Sequence, residues 1–139
     1  MNKKEFVEKV KTRGELKDLF QAESASKAVL NTLAKRITPE EEKDMESQLS
    51  KGERELIGER DEEYRTAFFG RLGLRKPVEK LHKGEFLRRV DEMTEHQLKK
   101  PEKATTAVFS TLKDQITKGE AEDIEAQLPK DLKETWRKS

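Results

Sequence analysis

The sequence predicts an all-α protein in which two tandem homologous units, each of three to four helices, pack into one helical bundle. Three observations predict it. Apolar residues recur at helical spacing, helix-start signals punctuate the chain, and a long segment of the first half returns in the second. Residues 28–57, AVLNTLAKRITPEEEKDMESQLSKGERELI, align without a gap on residues 107–136, AVFSTLKDQITKGEAEDIEAQLPKDLKETW, at a constant offset of 79. Several of the differences exchange one core-type residue for another: Leu30 for Phe109, Met45 for Ile124, Ile57 for Trp136. Upstream the offset becomes 80, and Lys4-Glu5-Phe6-Val7-Glu8-Lys9-Val10 faces Gly84-Glu85-Phe86-Leu87-Arg88-Arg89-Val90. The predicted organisation is a first unit over 1–58, a bridging helix and linker over 59–83, and a second unit over 84–139.

The elements follow in chain order. Phe6, Val7 and Val10 lie on one helical face, and Gly14 breaks that helix. Phe86, Leu87, Val90 and Met93 are expected to do the same in the second unit. Ala25, Ala28, Val29, Thr32 and Leu33 form the buried stripe of a second helix; its counterpart starts at Pro101 and carries Ala104, Ala107, Val108, Thr111 and Leu112. Thr38-Pro39-Glu40-Glu41 reads as a capping box, Thr at the cap and Glu three residues on, and Thr117-Lys118-Gly119-Glu120 repeats it. Met45 with Leu49, and Ile124 with Leu128, supply the apolar pair of a short third helix. Ser50-Lys51-Gly52-Glu53 opens a fourth, matched at Pro129, and these end in Leu56-Ile57 or Leu132 and Trp136. A bridging helix near 60–70 holds Tyr64, Phe68 and Phe69, expected to cover the seam between the units or to form a partner patch.

Composition narrows the class. Charged residues make up 42% of the 139 and apolar ones 32%, so the core is lean and depends on helix faces converging. Thirty basic residues nearly cancel 29 acidic ones, which removes any global pull toward nucleic acid or an anionic membrane. Without cysteine there is no disulfide framework and no thiolate chemistry. The opening residues lack the apolar run of a signal peptide, and no stretch is apolar enough to span a bilayer, so a soluble, cytoplasmic protein is expected.

The second copy's Gly84-Glu85-Phe86-Leu87-Arg88-Arg89-Val90, Ala107-Val108-Phe109-Ser110-Thr111-Leu112 and Gly119-Glu120-Ala121-Glu122-Asp123-Ile124-Glu125-Ala126-Gln127-Leu128-Pro129 resemble a bacterial family, the domain of unknown function 2267. The first copy departs at Glu40, where the pattern has Gly, and at Ser50, where it has Pro. The resemblance implies a duplicated helical architecture and carries over no catalytic residue.

Chemistry-bearing patterns are sparse. His82 and His96 form no ligand pair, and the acidic runs Glu40 to Asp44 and Asp61 to Glu63 lack the order of a calcium loop; they read as charged first turns of helices. No phosphate-cradling glycine pattern and no nucleophile elbow is present, so no enzyme, cofactor or metal site is expected. Charge is segregated, however. Arg71, Arg75, Lys76, Lys80, Lys83, Arg88 and Arg89 give residues 71–89 a balance of +5, and residues 36–63 carry −6. The expected function is a non-enzymatic helical protein that binds a macromolecular partner, foremost a protein. Two alternatives stay open: nucleic-acid or phosphate binding through the basic stretch, and an enzyme or small-molecule carrier with a site between the units. Partner identity and oligomeric state are not legible.

Overall fold

Asn2 opens the first helix, its Oδ1 accepting from the Glu5 N–H at 2.9 Å, so one orphan donor of the first turn is met. A computed structural model describes residues 1–57 and 80–139, and every regular element among them is a helix. The first half contains α1 (Lys3–Gly14), α2 (Leu19–Arg36), α3 (Pro39–Ser47) and the single turn α4 (Lys51–Arg54). In the second half stand α5 (Lys83–Met93), α6 (Pro101–Gln115), α7 (Lys118–Ala126) and α8 (Lys130–Lys138). The expected bridging helix, with Tyr64, Phe68 and Phe69, lies outside the described residues.

Local chemistry repeats between the halves. Ile37 ends α2 at φ −104°, ψ 162°, and Ile116 ends α6 at φ −109°, ψ 161°. Each isoleucine hands the chain to a threonine cap: Thr38 Oγ1 accepts from Glu41 N at 3.3 Å, and Thr117 Oγ1 from Glu120 N at 3.2 Å. Ser50 and Glu53 complete a full capping box, with Glu53 Oε1 taking the Ser50 N–H at 3.0 Å. The break after α1 falls at Glu15, whose left-handed φ of 51° carries the cap, one residue beyond Gly14. Gly14 serves packing instead: a Cβ there would stand 3.3 Å from Ala107 Cβ, so its absence lets α1 lie close on α6.

That contact shows how the halves share a core. α1 packs on α6 and α2, while α5 packs on α2 and α6, so each half's first helix touches the long helix of both halves. Fully buried Phe6, Val10, Val29, Leu33, Phe86 and Val108 fill the seam within one continuous cluster. Burying such side chains is worth about 1.5–3 kcal/mol each relative to exposure. Arg13 fastens the rim, Nη1 reaching Ser110 Oγ at 2.9 Å and Nη2 pairing with Asp114 at 2.8 Å. Met93 departs from expectation. It occupies the last turn of α5, beside the end of the packed face, and stays 48% exposed. Among the described residues no helix is long and apolar enough to cross a membrane.

Candidate functional site

The threonine caps of α3 and α7 are only half-formed boxes, and the missing halves build the site. In a complete box the glutamate at the third position would return to the cap N–H. Here the Thr38 N–H donates to Gln127 Oε1 at 2.8 Å, across the molecule from the end of α7. Reciprocally, the Thr117 N–H donates to Gln48 Oε1 at 2.7 Å, from the end of α3. The pair of bonds joins equivalent positions in opposite directions, as an approximate twofold between α3 and α7 requires. Each glutamine relieves a glutamate of its capping task, and the freed carboxylates of Glu41 and Glu120 turn inward.

Glu41, Asp44 and Glu120 each present one carboxylate oxygen, and the three oxygens lie within 4.8 Å of one another. Glu41 is 9% exposed and Glu120 6%. Gln127 Nε2 donates to Glu41 Oε2 at 3.2 Å, whereas Glu41 Oε1 and Glu120 Oε1 are buried and accept no hydrogen bond from outside the Glu41–Glu120 pair. No basic side chain among the described residues pairs with any of the three. Burial therefore pushes the Glu120 carboxyl up to about 8, helped by its hydrogen bond and repulsion with Glu41 and by the charges of Asp44 and Asp123. The positive ends of α3 and α7 offset part of this repulsion, since both glutamates sit in a first helical turn.

The acidic run 40–44 does open a helix as a charged first turn, but local pattern does not show that Glu41 and Asp44 meet Glu120. A signal was available. Glu41 and Asp44, three apart on one helical face, return as Glu120 and Asp123 at the offset of 79, although Glu40 and Glu42 give way to Gly119 and Ala121. The cross-molecule role of Gln127 yields a prediction. Gln127→Ala strands a partly buried Thr38 N–H and lowers stability by about 1–2 kcal/mol, more than Gln48→Ala, whose bond is exposed. Denaturant unfolding of the two variants checks the order.

The expected basic stripe is only partly within the described residues; Arg71, Arg75 and Lys76 lie outside them. Lys80 is exposed, Lys83 Nζ pairs with Glu102 at 2.6 Å, Arg88 Nε stands 3.9 Å from Glu92, and Arg89 is half-buried with a partner. Of these four cations, Lys83 and Arg88 stand beside acids. His82 stands 3.8 Å from Asp131, and His96 Nδ1 lies 2.6 Å from Asp91 Oδ2.

A second feature lies at the head of α2. Phe20 is 75% exposed and Leu19 44%, and Phe20 and Met93 line a cleft shared by Gln21, Ser24, Thr94, Glu95 and Gln97. The cleft wall is a turn in which Glu95 and His96 take consecutive left-handed φ values of 55° and 60°. Non-glycine residues adopt that region at a cost. The His96–Asp91 contact, the His96 N–H to Asp91 O bond at 2.8 Å and Gln21 Nε2 to Gln97 O at 3.0 Å hold the turn.

The model of a family described as an uncharacterized conserved protein, DUF2267, matches residues 3–135. No similar protein was found among curated ones.

Proposed function

The chain belongs to the DUF2267 family of uncharacterized conserved proteins, and from that premise we propose that it is a non-enzymatic, cytoplasmic binding protein whose partner is another protein. The observation that carries this reading is Phe20. An aromatic side chain 75% exposed on the first turn of a helix contributes little to the fold. Beside Leu19, Met93 and a turn held in a costly conformation, it offers the aromatic and Met anchors that protein interfaces favour. The repeated caps and shared core support a duplicated origin for the scaffold. In the second half Lys99 occupies the position equivalent to Phe20, so the two halves differ where the anchor stands.

Phe20→Ser is expected to leave stability within about 0.5 kcal/mol of the parent, as surface substitutions do. Capture from the source cell at physiological salt should recover one specific protein with the parent chain and lose it with the Phe20→Ser variant. A protein retained equally by both would sink the reading, as would recovery of nucleic acid released by salt.

A further inference from the structure

We propose that the α3–α7 junction is a binding site for one hard divalent cation, held by the carboxylates of Glu41, Asp44 and Glu120. Two independent observations point there. The first is geometry: three carboxylate oxygens from two helices lie within 4.8 Å of one another. Oxygens coordinated on opposite sides of a cation at 2.0–2.6 Å stand roughly 4–5 Å apart, so the cluster needs little adjustment to close on an ion. The second is the unmet demand of the cluster. Glu41 and Glu120 are more than nine-tenths buried, and beyond the hydrogen bond between the two carboxyls each keeps an Oε1 that no other residue's donor reaches. Buried carboxylate oxygens normally have partners. A cation supplies the missing positive charge to all three groups at once.

The donor set selects the class of ion. Only oxygen is offered, with no imidazole or thiolate nearby, which suits Ca²⁺, Mg²⁺ or Mn²⁺ rather than zinc or copper. Asp44 is exposed and leaves the site open on one side, so water completes the coordination shell. Its approximate mate Asp123 lies within electrostatic reach and adds charge without being one of the three ligands. The ion would bridge the halves at the same junction that the Thr38–Gln127 and Thr117–Gln48 bonds close. Occupancy is therefore a clamp between the two ends of the chain, and it acts independently of the corner around Phe20.

Mn²⁺ is the probe, because its electron paramagnetic resonance signal in solution is lost on binding. Titrating the full chain, after stripping with a chelator, should show one ion per chain in the micromolar to submillimolar range expected of few-ligand oxygen sites. Glu41→Gln and Glu120→Gln should each weaken binding at least tenfold. Glu122→Gln, an exposed neighbour on α7 outside the cluster, should change it less than twofold. Circular dichroism confirms folding, and Asp44→Asn removes an exposed ligand should either buried substitution fail to fold. Competition by Ca²⁺ and by Mg²⁺ names the preferred ion. Absence of binding up to millimolar Mn²⁺ overturns the proposal. So does binding that Glu122→Gln weakens as much as the cluster variants, which would mean diffuse attraction to an acidic surface.

Discussion

Replacing Phe109 by alanine is expected to lower unfolding stability by about 3–5 kcal/mol, a large share of the 5–15 kcal/mol usual for a domain. Phe109 is fully buried on α6, the helix that contacts α1, α2, α5 and α8. Its ring meets Phe86 edge-on at 5.7 Å and Trp136 at 5.0 Å, so one truncation removes two aromatic pairs and opens a cavity between three helices. Collapse around the gap is restricted. Lys113 donates to the Trp136 and Ser139 carbonyls at 2.7 and 2.8 Å and pins the end of α8 against α6. Phe109→Leu, which installs the residue of the equivalent position Leu30, should cost only about 1–2 kcal/mol. Guanidinium unfolding of the parent and both variants measures the series. A loss under 1 kcal/mol for the alanine variant would mean that the second half does not depend on this aromatic cluster.

The burial of Phe109 was legible in the sequence, whereas its contacts with Phe86 and Trp136 were not. Leu30 and Phe109 align at the offset of 79, and both are fully buried. The stripe Ala25, Ala28, Val29, Thr32 and Leu33 and the caps at Thr38, Ser50 and Thr117 are likewise legible, because they depend on residues three or four apart. The carboxylate site was not. It exists because Gln127 and Gln48 displace Glu41 and Glu120 from their own caps, an exchange between residues 89 and 69 positions apart in the chain. Local pattern favours the capping box, and only tertiary packing reassigns it. Met93 failed for a related reason: helical spacing placed it on the apolar face, but the turn at Thr94 to His96 ends α5 where the core no longer covers it. Phe20 escaped notice because a lone aromatic reads the same whether it is buried or bare.

Stability of the chelator-stripped protein is expected to fall as pH rises, with Glu120 responsible. Its carboxyl titrates near 8 when folded, against an ordinary value of 4.5. Below 4.5 folded and unfolded chains both hold the proton, and the full benefit of the neutral group is present. Between these values the unfolded chain releases its proton while the folded chain keeps it, so each pH unit removes about 1.4 kcal/mol. From pH 6 to pH 9 the loss amounts to roughly 2–3 kcal/mol, and the slope levels off above 8. Among the described residues, the charges that act on Glu120 are acidic: Glu41 and Asp44 across the junction and Asp123 on its own helix. Arg137 of the adjoining α8 is engaged at 3.2 Å with Glu125 instead. The ion pairs that hold Glu15 and Glu23 below the ordinary carboxylate range act in the opposite sense and at lower pH, so they cannot produce this slope. Glu120→Gln keeps the size and neutrality of the protonated acid, and its stability should stay flat over the interval in which the parent declines. Urea unfolding at pH 6, 7.5 and 9 in chelator distinguishes the two. Parallel curves for parent and variant would mean that Glu120 is ionised in the folded chain at neutral pH and that the junction carries its full negative charge unaided.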